Sequence, residues 1–122
     1  MTTGERLRRK RAALERGRKG EWLAAFALQL RGYRIVTRNF RCKAGEIDII
    51  ARRRDLVLFV EVKARSSIAA AVDAVSHDSQ RRIANAADFW MSRQRDQYRL
   101  SWRFDIIAVL PRRWPVHLED AF

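Results

Sequence analysis

Apolar residues recur at helical spacing from Gly20 to Arg31. Trp22, Leu23, Phe26, Ala27 and Leu30 mark the apolar side, Glu21 stands in the first turn and Gly32 supplies a stop. The next apolar block, Tyr33–Thr37, is short and rich in Tyr, Ile, Val and Thr, which predicts a strand directly after that helix. Asn39 to Gly45 reads as a basic loop. Two β-rich segments follow, Glu46–Ala51 and Leu56–Lys63, and the short polar stretch Arg52-Arg53-Arg54-Asp55 between them predicts an antiparallel hairpin. Ser66 to Arg93 returns to a helical pattern through Val72, Val75, Ile83, Ala86, Ala87 and Trp90. Leu100–Leu110 predicts a further strand stopped by Pro111, and Val116–Leu118 a last short one. The order α-β-β-β-α-β-(β), with no internal repeat or low-complexity linker, predicts an α/β fold in which helices flank a mixed central sheet of 4–5 strands. Trp22 and Trp90 fall on apolar helix faces and are assigned to the core.

Met1–Lys19 lies outside this pattern. It carries Arg6, Arg8, Arg9, Lys10, Arg11, Arg16, Arg18 and Lys19 and few large apolar residues, so it reads as a mobile or loosely helical basic arm ahead of a single domain over residues 20–122. A chain of 122 residues has room for one ordinary core. The 48% apolar and 33% charged residues exclude collagen, coiled coil and disorder. Against 14 acids stand 26 Lys and Arg, a net charge of +12, which predicts a polyanionic partner. Arg dominates the cations, and its planar fork matches phosphate oxygens where an ammonium acts as a point charge. Nucleic acid ranks ahead of membrane, because no helix sets a clean basic face against a Trp/Leu face and no segment approaches the roughly 18 apolar residues of a span. The run Trp22–Leu28 reads as a helix of a soluble domain rather than a signal peptide, since Glu21 opens it, Gln29 and Arg31 close it and no small-residue cleavage pattern follows. Cys42 is the single cysteine, which fits a reducing compartment and predicts a cytoplasmic protein.

The candidate chemistry lies in acids placed within apolar strands. Asp48 sits among Ile47, Ile49 and Ile50, and Glu61 between Val60 and Val62, with Lys63 two residues on. Side chains alternate along a strand, so Glu46, Asp48 and Ile50 share one face and Phe59, Glu61 and Lys63 another. An even hairpin loop, such as the four residues Arg52–Asp55, would pair Asp48 with Phe59 and bring Glu46, Asp48, Phe59, Glu61 and Lys63 to one side. An odd loop would separate them. Ionised acids converging in a half-buried place repel one another, and a divalent cation is the simplest relief. All-oxygen ligation suits Mg²⁺ or Mn²⁺ rather than zinc, and such an ion supplies what phosphodiester hydrolysis needs. Lys63 is then placed to orient the attacking water or stabilise developing charge.

Gly45-Glu46-Ile47-Asp48-Ile49-Ile50 followed by Phe59-Val60-Glu61-Val62-Lys63 resembles the PD-(D/E)xK nuclease signature. Together with Gly20-Glu21, Gly32-Tyr33, Arg38-Asn39-Phe40-Arg41, Arg65 and Arg103-Phe104-Asp105, these blocks resemble the bacterial YraN family over most of the chain, from about Gly20 to Leu110. That family is similar in fold to archaeal Holliday-junction resolvases and to the restriction-endonuclease-like superfamily. The resemblance implies a restriction-endonuclease-like core and a metal-dependent endonuclease acting on DNA in preference to RNA, with branched or structured DNA among its candidate substrates. It implies Asp48 and Glu61 as metal ligands, Lys63 as the catalytic lysine and Glu21 as the helix-borne acid that completes the site, with Glu46 ranked below them. Arg38, Arg41, Lys43, Arg65, Arg81 and Arg82 are the candidate nucleic-acid contacts. Resolvase-like relatives cut in pairs, so a homodimer is compatible with the resemblance. Three departures stand out: Ile47 replaces the signature's proline, Ala-rich sequence stands where relatives commonly carry a Gly after the Glu-x-Lys strand, and Ser79 stands where they commonly carry a lysine.

Blander assignments compete with each of these. Asp48, Glu61 and Lys63 could form an internal ion-pair network, and Glu21 in a first turn is favoured by the helix dipole alone. The rival to an enzyme is a non-catalytic DNA- or RNA-binding protein on the same fold, and a weaker one is a subunit docking on a ribonucleoprotein or repair complex. Asp105 is expected to pair with Arg103 or Arg65, and His77-Asp78 to lie on solvated surface. Trp102 and Trp114, both Arg-flanked, stay open as nucleic-acid or dimer contacts.

Overall fold

The computed structural model describes residues 1–122. Helix α1 spans Thr3–Leu30, and strands β1 (Arg34–Cys42), β2 (Gly45–Arg53) and β3 (Leu56–Ala64) follow it. Helices α2 (Ile68–Asp73) and α3 (His77–Ser92) then lead through a single 3-10 turn to β4 (Ser101–Val109) and β5 (Val116–Leu118). The five strands form one sheet in the order β1-β2-β3-β4-β5. Only β3 and β4 run parallel, and a parallel pair needs a long crossover, which α2 and α3 provide. This mixed sheet flanked by helices matches a restriction-endonuclease-like core.

The alternation within β2 and β3 feeds two apolar layers. On one side Ile50, Val57, Phe59 and Ile106 pack against Ile83, Ala86, Ala87, Trp90 and Met91, the residues that α3 buries. On the other, Ile49, Ala51, Leu58, Val60 and Ile107 pack against Ala24, Ala25 and Leu28 of α1. No helix is long and apolar enough to cross a membrane.

Five expectations need correction. Helix α1 starts at Thr3 rather than Gly20, with the Thr2 hydroxyl accepting from the Glu5 amide at 3.1 Å. Arg, Lys, Ala, Leu and Glu are good helix formers whether or not they carry an apolar period, so residues 3–19 are helical and Glu21 lies mid-helix, away from any first-turn dipole. Trp22 is 67% exposed instead of core, because α1 meets the sheet with its small residues. A Cβ on Gly20 would stand only 3.6 Å from Val109 and 3.8 Å from Ala64, an approach that the bulky stripe could not make. The basic loop at Asn39–Gly45 is mostly strand: β1 continues to Cys42, pairing with β2 from Arg38↔Ile49 to Cys42↔Gly45, and Asn39 keeps a positive φ of 53° within it. Ser66–Arg93 is two helices, because Ser76 caps a new start by accepting from the Ser79 amide.

The hairpin turn is two residues, Arg54-Asp55, rather than four, giving the pairs Arg53↔Leu56 and Ile50↔Phe59. Phe59 is thus taken by Ile50 rather than Asp48, and the register ends at Ile49↔Val60, one step short of Asp48 and Glu61. The loop length is still even, and Ile50 and Phe59 share the α3 side of the sheet.

Gly45 fixes how β2 begins. A Cβ there would lie 2.1 Å from the Arg82 carbonyl oxygen of α3, so only glycine lets the helix sit against the strand. Gly45→Ala should therefore push α3 away and lower stability by about 1–3 kcal/mol or more, read as a shift in the urea midpoint at unchanged slope.

Candidate active site

Strands β2 and β3 bring the two acids together where their pairing stops. The paired residues end at Ile49↔Val60. Beyond that point the Asp48 amide donates to Glu61 Oε1 at 3.3 Å, and the Val62 amide donates to Asp48 Oδ2 at 2.9 Å. The carboxylates thus take main-chain protons that a continued ladder would have used, and each holds the other's strand. Glu61 is 7% exposed, and Lys63 Nζ stands 4.0 Å from its Oε2.

The electrostatics follow from that placement. Burial, reinforced by the negative charge of Asp48, pushes the Glu61 carboxyl up to about 8, against the smaller opposing pull of Lys63. Burial also raises Asp48, with Glu21 adding to the rise while the Val62 amide and Lys63 oppose it. A raised carboxyl means the folded chain binds more protons than the unfolded one between the two pKa values, so stability falls as pH rises through that window. Without metal, the contribution of Glu61 to stability should fall progressively from about pH 4.5 to about pH 8. Urea midpoints across that range read the slope, and a flat profile would contradict the assignment.

The other predicted site residues are distributed around this pair. Glu21 faces it from α1 closely enough to act on Asp48, yet its own contact is Arg38, Nη2 to Oε2 at 3.8 Å. The Arg38 guanidinium lies 4.5 Å over the Trp22 ring, and its Nε is buried without a partner. Glu46 is exposed and turned to Arg41 at 3.7 Å. No three His, Cys, Asp or Glu side chains form a ready ligand group, so the convergent acids are the pair Asp48 and Glu61. That pair is an all-oxygen donor set carrying mutual repulsion, and one or two carboxylates are what Mg²⁺ takes while keeping waters. The donor chemistry therefore fits a hard divalent cation.

Register puts the C-terminal ends of β1 and β3 and the start of β2 at one end of the sheet. Arg41, Lys43 and Arg65 are exposed at that end. Arg81 and Arg82 are exposed on α3, Arg81 paired with Asp78 and Arg82 beside Gly45. The Arg52-Arg53-Arg54 turn is at the opposite end, where Arg52 bonds Asp96 at 2.8 Å and Arg53 stacks on Tyr33 at 4.2 Å.

Asp105 belongs to a separate network, as expected for its pairing with Arg103. Arg103 grips it with Nε and Nη2 at 2.8 and 2.9 Å, the Asp120 amide donates at 2.9 Å, and His117 Nε2 lies at 2.7 Å. Burial would raise this carboxyl, but those donors hold it down at about 2. Arg31 donates to His117 Nδ1, which makes Nδ1 the acceptor and Nε2–H the donor to Asp105. Sequence reasoning missed His117 and Arg31, since nothing local links the last strand to the end of α1.

A sequence model described as "Uncharacterised protein family UPF0102" matches residues 20–109. The chain is 62% identical over 113 residues to a UPF0102 protein of Mesorhizobium japonicum, covering 93% of this chain and 90% of the relative. A UPF0102 protein of Chelativorans sp. is 60% identical over 122 residues, covering 100% and 98%. One from Brucella canis is 60% identical over 114 residues, covering 93% and 90%.

Proposed function

This chain belongs to the UPF0102 family, and on that premise we propose that it is a metal-dependent endonuclease hydrolysing DNA phosphodiester bonds, branched or structured DNA included. The observation that carries the reading is the Asp48–Glu61 pair, a half-buried and a buried carboxylate that each accept from the other's strand, with Lys63 beside them. A protein with no use for such a pair would gain by losing one acid, since burying like charges together costs several kcal/mol.

Asp48 and Glu61 would hold Mg²⁺ or Mn²⁺. When bound, the ion supplies an acidified water and charge neutralisation at phosphorus. Lys63, on the same strand face as Glu61, orients the attacking water and donates to the developing negative charge. Glu21 completes the acidic side directly or through water. The unpartnered Arg38 Nε beside it would be satisfied by a phosphate oxygen of the substrate. Arg41, Lys43, Arg65, Arg81 and Arg82 contribute backbone contacts, residues 1–19 act as a basic arm on the domain of residues 20–122, and the protein works in the cytoplasm as a monomer or a homodimer.

Lys63→Ala tests the division of labour. Mn²⁺ binding measured by calorimetry should stay within a few-fold of wild type, because Lys63 is not a ligand, while cutting falls about 10²–10³-fold. Cutting that survives the change would contradict the assigned role.

A second reading keeps the fold and drops the chemistry. The Glu21–Arg38 ion pair favours it, since an acid already neutralised is less available to a metal. On that reading the chain binds nucleic acid with steep salt dependence and no metal requirement.

A further inference from the structure

Helix α1 and the C-terminal ends of β3 and β4 line an open cavity of about 410 Å³. Its apolar surface comes from Leu23, Val109, Leu110 and Pro111, and Arg16, Lys19 and Arg65 add three cations. The cavity neighbours the candidate site in sequence on two elements, although none of Asp48, Glu61 and Lys63 lines it. Gly20 lines it one residue before Glu21, and Ala64 and Arg65 line it directly after Lys63. One helical turn beyond Leu23, Phe26 meets Trp114 edge to face with ring centroids 6.1 Å apart, and the two remain 51% and 55% exposed. An apolar floor bordered by cations, with an exposed aromatic pair one helical turn further along α1, suits neither a duplex backbone nor a neutral ligand. It suits a chain of phosphates whose bases are free to leave the stack.

We propose that this cavity and the Phe26–Trp114 pair receive an unpaired strand, one base on the Leu23–Val109 floor and the next stacked on Trp114, while Arg16, Lys19 and Arg65 hold the linking phosphates. The inference rests on the nucleic-acid reading above and sharpens it. The substrate class becomes a duplex with a single-stranded tail or branch, led away from Lys63 along α1. The long basic helix then has a specific task, because Arg16 and Lys19 form the cavity wall only when residues 3–19 continue α1 as a rigid rod.

The test uses fluorescently labelled DNA in chelator, so that binding is read without cutting, at one fixed salt concentration. The probes are a blunt duplex, a duplex with an unpaired tail and the same total nucleotide number, and that tailed duplex with an abasic tail. Wild type should bind the tailed duplex about tenfold more tightly than the blunt one, and the abasic tail should lose most of that gain. Trp114→Ala and the cavity-filling Leu23→Trp should each shrink the tail preference, and both positions are exposed enough to change without unfolding the chain. An abasic tail that binds as well as the base-bearing one, or a preference that both variants keep, would overturn the proposal while leaving nucleic-acid binding intact. Failure to bind any of the probes would overturn the nucleic-acid reading itself, and this inference with it.

Discussion

Glu61→Gln is expected to abolish DNA cutting and, in the same protein, to raise the melting temperature at pH 8. The two effects have one cause. At that pH the wild-type carboxyl is forced to ionise in a buried place beside Asp48, although burial holds its pKa near 8. The unfolded chain ionises it freely from about pH 4.5 upward, so the folded state carries a penalty on the order of a few kcal/mol that is absent below pH 4.5 and complete above about pH 8. Gln keeps an oxygen to accept from the Asp48 amide and removes the charge, so several degrees of stabilisation should follow in metal-free protein. Catalysis moves the other way, because losing a ligand removes several kcal/mol of charge stabilisation, at least about a thousandfold in rate. Melting curves at pH 5 and pH 8 separate the accounts: a structural ion-pair role for Glu61 predicts a loss of stability at pH 8 instead of a gain.

Asp105→Asn should be the most destabilising conservative change in the chain, at about 3–5 kcal/mol, since removing one member of a buried charge network leaves the others uncompensated. Asp105 is fully buried and anchors Arg103, His117 and the Asp120 amide. Through His117 and Arg31 it also ties the end of α1 to β5. A fall in melting temperature of roughly 10–20 °C would register this. With its pKa held near 2, the wild-type network should survive to low pH and release its stabilisation only as pH falls from about 3.8 through 2. Because Asp105 faces away from the Asp48–Glu61 pair, cutting per folded molecule at low temperature should stay within a few-fold of wild type. A large loss under those conditions would place Asp105 in the active site.

The parts of the fold that are legible in the sequence are those encoded by local alternation. The hairpin that carries Asp48 and Glu61 follows from alternation and loop parity, since a turn of two residues keeps the parity of four, whereas the acids themselves meet just past the paired register through hydrogen bonds to each other's strand. The α3 stripe through Ile83, Ala86, Ala87 and Trp90 is equally readable, since its buried side is also its large apolar side. Helix α1 inverts that relation. It buries Gly20, Ala24, Ala25, Ala27 and Leu28 and exposes Trp22, Phe26 and Leu30, so a search for bulky periodicity picks the wrong face. Its first turns, over residues 3–19, carry no apolar period at all and are helical through propensity and capping. The polar run Arg38-Asn39 hides the second half of β1, whose hydrogen bonds depend on β2. The Arg38–Glu21 contact and the His117–Asp105 bond join residues 17 and 12 positions apart across different elements, which no local signal records.

The most direct test of the central claim is a cutting assay on labelled linear, single-stranded and four-way-junction DNA with Mn²⁺, with Mg²⁺ and with chelator, run beside the Glu61→Gln protein. The account predicts cutting with either metal, none in chelator and none by the variant. Binding without cutting under every metal, or cutting that the variant retains, would contradict it.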